Sequence, residues 1–173
     1  QKVKDMGFSG INNFPTHSII DGQFRQSLEE TGMGVKKEVD CVALGRKMDM
    51  FSIVYVGTPE EAKKMAEAGA DAIIAHVGCT VGGSIGVTDA SCSLDLAAKK
   101  TQEIIDAAKT VRNDIIYLSH GGPILTPEDA AYINEKTDTV GFVGASSIER
   151  IAVEKAITNL TKEFKSIPVK RRG

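Results

Sequence analysis

An α/β fold made of consecutive strand–helix units follows from three features of this 173-residue chain. Five short apolar runs alternate with helical patterns along its length. Three of those runs are nearly continuous in Val, Ile and Leu, which is how strands read when both faces of a parallel sheet are covered. A helix start of one wording, Thr-Pro-Glu-acid-Ala, recurs after two different runs, at Thr58 and at Thr126.

The elements justify themselves in order. Residues 7–14 form the first run, and Val35, Val39, Val42 and Ala43 then mark a helix. The second run is Phe51–Val56. Thr58-Pro59-Glu60-Glu61 after it is a capping box with proline at the first helical position, and Gly69 stops the helix. The third run is 72–77. Ser93 caps a longer helix whose apolar positions are Leu96, Ala97, Ile104, Ile105 and Ala108. The fourth run is 115–119, followed by the helix start at Thr126-Pro127-Glu128-Asp129. The fifth is 140–144, and a last helix over 148–164 carries Ala152, Ala156, Ile157, Leu160 and Phe164 on one stripe.

Two architectures accommodate five such units: a flavodoxin-like open sheet and part of a (β/α)8, or TIM, barrel. The barrel requires polar residues at the C-terminal end of nearly every strand. That pattern is present, at Asn12 and Asn13, Tyr55 and Thr58, His76, His120, and Ser146 and Ser147. The expectation is one TIM-barrel domain over residues 1–173, present as about five βα units, with the N-terminal units missing. Five units cannot close eight strands, so further chain or another subunit, as in a homo-oligomer, is expected to cover the open strand edges.

Composition excludes several classes. Apolar residues make up 42% and charged residues 25%, ordinary for a globular domain. A net charge of -2 argues against nucleic acid as a partner. The basic triplet Lys170, Arg171, Arg172 reads as a solvated tail. No apolar stretch approaches the roughly 20 residues of a membrane span, and no signal peptide is visible. Three cysteines, Cys41, Cys79 and Cys92, at no metal-like spacing make the cytoplasm the default compartment. There is no P-loop and no dinucleotide fingerprint, hence no nucleotide cofactor.

The residues that could carry chemistry cluster at strand ends. His76 and His120 occupy equivalent positions in consecutive units, each before a glycine-rich turn, and a barrel would aim both into one mouth. Histidine exchanges protons near neutral pH. Gly121-Gly122 and Gly144-Ala145-Ser146-Ser147 are small-residue loops. Their backbone N–H groups, with a helix N-terminus behind the second, suit an anion; an ordinary tight turn is the alternative. Arg150 either reaches that anion or forms an ion pair. The long polar segment from Asn12 and Asn13 to Arg25 reads as a site cover, His17 as a loop residue, and Glu29 and Glu30 as a solvated face. A nucleophilic role for Cys79 is the weaker reading.

Together these segments resemble the phosphoenolpyruvate-hydrolase-like TIM-barrel family. The resemblance rests on residues 7–10 with 13–16, on 28–34, on 67–71 with 75–78, on 120–124 and on 144–150. It implies that residues 1–6 end a helix and that the five strands are strands four to eight. It also implies a hydrolase or lyase acting on a small anionic substrate, a phosphorylated or phosphonylated keto acid, with magnesium or a similar divalent metal. Gly121, Gly122, Gly144, Ala145, Ser146, Ser147 and Arg150 would then surround the phosphoryl group. Asn12, Asn13 and Tyr55 would orient the rest, and His76 or His120 would transfer a proton. Two further readings stay open: an anion-binding or signalling barrel without catalysis, and an aldolase-like lyase, against which no strand end carries a lysine.

Overall fold

A computed structural model describes residues 1–88 and 92–169; the basic triplet at 170–172 lies outside the described residues. The chain runs α1 (Lys2–Asp5), β1 (Gly10–Asn12), a 3-10 turn (His17–Ile19), α2 (Gly22–Glu30), α3 (Val35–Lys47) and β2 (Phe51–Val56). It continues through α4 (Pro59–Ala68), β3 (Ala72–His76), α5 (Leu94–Lys109), β4 (Ile116–His120), α6 (Pro127–Lys136) and β5 (Gly141–Phe142). A π-helical turn (Ser147–Ile151) then opens α7 (Ala152–Lys165).

The sheet order is β1-β2-β3-β4-β5 and every pair is parallel. That order separates the two architectures. A doubly wound sheet reverses direction at a switch point, whereas strands laid down strictly in sequence, with right-handed crossovers, put every helix on one side. The molecule is therefore an arc of five βα units of a barrel.

Alternation along the strands sorts the two faces. Val54, Val56, Ile73, Ala75 and Tyr117 face the helices and pack with Val42, Met65, Ala66, Ile104, Ile105 and Ala108 into the main core. A smaller core joins Val77, Ala97, Ala98, Ile124 and Ile133 beneath α5 and α6. The opposite, inner face is incomplete. Ile53 and Leu118 are half-buried, and Phe51 and Ile116 are each 45% exposed.

Helix starts match their sequence signals. Thr126 accepts from Asp129 N–H and the Asp129 carboxylate returns to Thr126 N–H, a complete capping box. At Thr58 only half of the expected box forms: Thr58 accepts from Glu61 N–H, but the Glu61 carboxylate turns to Gly57 N–H, Ser18 and Arg25 instead. Gly69 ends α4 in the left-handed conformation, at φ 94°.

Two expectations need correction, and a third gains a detail. The segment after β1 is not only loop: it holds the 3-10 turn and the nine-residue α2, which buries none of its residues and so leaves no core-facing stripe to read. His17 is not a loop residue at the surface but 5% exposed. The stripe on α7 is real but uncovered, with Ile157, Leu160 and Phe164 all exposed.

Ile105 is fully enclosed in the main core. Ile105→Ala is expected to lower unfolding free energy by about 2–5 kcal/mol in urea titration, whereas Leu44→Ala, at an exposed position, should stay within ~0.5 kcal/mol.

Candidate functional site

Parallel register builds the mouth. His76 and His120 are register partners and the last residues of β3 and β4. Adjacent strands lie about 4.8 Å apart, so equivalent side chains on one face must meet. The imidazole centroids are 5.2 Å apart. Tyr55, on the same face of β2, lies 6.1 Å from the His76 ring and 5.1 Å from the His120 ring, edge-on to both. Phe14 covers Tyr55 at 5.0 Å. Four rings from three strands and the first loop thus line one rim, as equivalent strand-end positions require.

Each histidine ring meets the backbone of one other residue by a hydrogen bond. His120 Nδ1 lies 2.6 Å from the Val143 carbonyl. His76 Nδ1 accepts from Gly78 N–H at 3.2 Å. Burial pushes the His76 pKa down to about 4, helped by repulsion from His120 and opposed by its own backbone carbonyl. Burial also lowers His120, while the Val143 carbonyl works the other way. Both rings are therefore neutral at pH 7. Burial raises the Tyr55 hydroxyl, and the Glu149 carboxylate raises it further.

The glycine turns hold the loops after β3 and β4 together. Gly121 has φ 85°, and a side chain there would run into the Gly78 carbonyl. Gly122 N–H donates to that carbonyl at 2.8 Å and is spent on it, while the Gly122 carbonyl accepts from Val81 N–H. The exposed Ile148 side chain folds back over Gly144. The Ala145 carbonyl accepts from Ile148 and Glu149 N–H at 2.9 and 2.8 Å. Ser146 precedes the π-helical turn without its side chain capping it. Such turns recur at functional sites. Arg150 resolves to the ion pair: it bonds Glu154 at 3.1 Å and the Gly82 carbonyl at 3.2 Å. Glu154 also accepts from the N–H and hydroxyl of Ser84.

Of the two asparagines, Asn12 accepts from Phe14 N–H at 2.6 Å, which turns the chain out of β1. Asn13 behaves as an extra strand residue: its amide accepts from Tyr55 N–H at 2.7 Å and donates to the Tyr55 carbonyl at 3.0 Å. It also donates to Glu38 at 2.5 Å. Asn13 therefore positions Tyr55, and its polar atoms are engaged.

Two acidic residues fasten the segment after β1. Glu38 accepts from Asn13, Thr16 and His17 N–H. Glu61, 3% exposed, accepts from Gly57 N–H, Ser18 and Arg25. Sequence reasoning missed both, since helix-borne glutamates usually face solvent; the capping-box position of Glu61 was its one visible signal. Beneath the fastened segment, a cavity of about 500 Å³ opens beside His76, lined by Ser18, Gly57, Gly78, Cys79, Lys100 and Glu103. Lys100 brings a cation to it and was likewise missed, because α5 carries several lysines on its solvent face. His17 is buried with neither ring nitrogen hydrogen-bonded among the described residues, and its Nδ1 stands 3.6 Å from Glu29. No three His, Cys, Asp or Glu residues converge to hold a metal ion among the described residues. Two imidazoles do not make the carboxylate-rich set that magnesium prefers.

Burial by itself raises the Glu61 pKa, but the Gly57, Arg25 and Ser18 hydrogen bonds outweigh it and hold the carboxyl below its ordinary value. Its contribution is therefore full at neutral pH and lost as pH falls through the lowered value. Glu61→Gln should cost about 1–3 kcal/mol at pH 7, measured by denaturant unfolding, with the cost shrinking as pH falls through the lowered value. His76, held neutral while the unfolded chain charges, should make stability fall from pH 6.5 toward pH 4. His76→Gln should flatten that part of the stability–pH curve.

Comparison with known proteins follows the same outline. The chain matches the family described as phosphoenolpyruvate hydrolase-like over residues 1–167. It is 48% identical over 168 residues to the tomato (Solanum lycopersicum) ToMV resistance protein Tm-1 and equally to its susceptible counterpart, covering 96% of this chain and 22% of each. A Sinorhizobium fredii protein provisionally described as a transcriptional regulatory protein is 32% identical, covering 96% of this chain and 27% of its own length. This chain thus spans about a fifth to a quarter of these relatives. Among solved structures, the N-acetylmannosamine-6-phosphate 2-epimerase of Clostridium perfringens aligns with a TM-score of 0.43 at 18% identity, over 75% of this chain and 48% of that one. The family match extends through every strand and both histidine loops, so the chain belongs to the phosphoenolpyruvate hydrolase-like family.

Proposed function

We propose that the protein is an enzyme of the hydrolase or lyase type whose mouth takes a small phosphorylated or phosphonylated keto acid. The observation that carries this is the neutral His76–His120 pair, 5.2 Å apart at the rim of adjacent strands and flanked by small-residue loops. The Ala145-Ser146-Ser147 segment and Gly121 offer backbone N–H groups to the phosphoryl oxygens. Asn12 and Tyr55 surround the remaining acid; Asn13, Gly122 and Arg150 hold the loops in place. The histidines handle the proton. Magnesium is the metal that the family's phosphoenolpyruvate chemistry suggests. A carboxylate set for it would have to come from beyond the described residues, and no step here runs through it. No helix among the described residues is long and apolar enough to cross a membrane. The reading places the protein in the cytoplasm, with the open edges of β1 and β5 covered by further chain or by another copy.

A second reading is an anion-binding or signalling barrel without turnover. It is favoured by the relatives' descriptions as virus-resistance and regulatory proteins and by how many polar groups of the mouth serve its own loops.

The full-length protein, supplied with magnesium and phosphoenolpyruvate or phosphonopyruvate, should release pyruvate and phosphate, and the double variant His76→Ala/His120→Ala should lose about 10²–10⁴-fold of that rate. A rise in melting temperature with these ligands and no product would favour the binding reading instead.

A further inference from the structure

We propose that His76 and His120 are fixed by the backbone in opposite tautomers, so that His120 Nε2 is a base and His76 Nε2–H an electrophile acting together on one carbonyl compound. The inference rests on the mouth being a catalytic site and adds which atom does what.

A carbonyl oxygen can only accept a hydrogen bond, so the Val143 carbonyl at 2.6 Å requires the proton of neutral His120 on Nδ1. Its Nε2 then carries the lone pair. An N–H can only donate, so Gly78 N–H at 3.2 Å selects the lone pair of neutral His76 on Nδ1, against the pull of its own carbonyl, which favours a ring proton. Its Nε2 then carries the proton. Among the described residues neither Nε2 has a protein partner, and neither is sealed from solvent. Two rings with centroids 5.2 Å apart thus offer a small molecule one donor and one acceptor. If the partners were exchanged, the polarity of the pair would reverse.

A neutral imidazole donor on a carbonyl, with a base held beside it, suits proton abstraction next to that carbonyl. The C–H bond α to the carbonyl breaks and its proton goes to His120 Nε2, which becomes imidazolium. The electron pair forms the C=C bond of an enolate, and the charge moves to the carbonyl oxygen, which accepts the hydrogen bond from His76 Nε2. His76 keeps its proton, so no imidazolate forms. Its resistance to protonation keeps it in this role below neutral pH. Return of the proton from His120 completes an exchange. The substrate class is a small keto acid with at least one hydrogen on the carbon beside the ketone, the phosphonylated members included.

Two measurements on the full-length protein test this. Nitrogen-15 NMR of the imidazoles at pH 7, assigned with His76→Gln and His120→Gln, should find His120 protonated on Nδ1 and His76 on Nε2. The same tautomer on both rings in the wild-type spectrum, or a charged His76, overturns the inference; the variants serve only to assign the signals. The second measurement is replacement of pyruvate methyl hydrogens by deuterium in D2O. Exchange above the buffer rate is expected, about 10²–10⁴-fold slower in His120→Gln. His76→Gln, which keeps an N–H donor, should retain more exchange than His76→Ala. No enzyme-dependent exchange, or an unchanged rate in His120→Gln, overturns the inference even if phosphate is released. Exchange without phosphate release upholds it and rejects the phosphoryl substrate.

Discussion

Ala72 pairs with Ile116 and His76 with His120, five residues in unbroken parallel register. A slip of one residue would turn one imidazole outward among the helices, because successive side chains alternate between the faces. The outer face of the same strands holds that register. Ile73, Ala75 and Tyr117 are locked against Ile104, Ile105 and Ala108 of α5, where little space remains for a shifted strand. The chemistry of the mouth thus depends on apolar packing on the opposite side of the sheet. The glycine turns extend that dependence: with no Cβ on Gly121, the loop after β4 can lie against the Gly78 carbonyl in the loop after β3, while Val143 N–H donates to the Ser119 carbonyl beside His120.

A second set of contacts decides what can reach the rim. β1 is only three residues long, yet the Asn13 amide adds a further rung between it and β2 and so seats Tyr55 beside the histidines. Glu38 and Glu61 then fasten the outgoing segment to α3 and α4. Each carboxylate there is matched by several donors, which is what makes half-buried and buried charge tolerable. Ser18 and Ile19 of this segment line the cavity beside His76, so the same hydrogen bonds and ion pair help to hold one of its walls.

Much of this was legible in the sequence, for identifiable reasons. Continuous Val and Ile runs, Thr-Pro starts and stop glycines act locally, and those elements appear where their signals stand. His76 and His120 were legible because a repeated unit repeats its geometry. Asn13, Glu38 and Glu61 were not, since their partners lie 42, 22 and 36 residues away at Tyr55, Thr16 and Arg25. Nothing local distinguishes a glutamate that fastens a loop from one that faces water. α2 escaped for another reason: a helix held by polar contacts of Arg25 and Glu29, with no residue buried, carries no periodic apolar stripe. Arg150 could be read two ways, and the choice fell to Glu154, one helical turn along.

Glu154 belongs to α7, yet it binds both polar groups of Ser84, seventy residues earlier in the loop after β3. Arg150 adds its bond to Gly82 in the same loop. No residue of α7 is buried, and its apolar stripe faces outward. These bonds tie the described part of the loop after β3 to the last helix. Anything that settles on the outward stripe of α7 would therefore bear, through Glu154 and Arg150, on a loop that begins directly after His76.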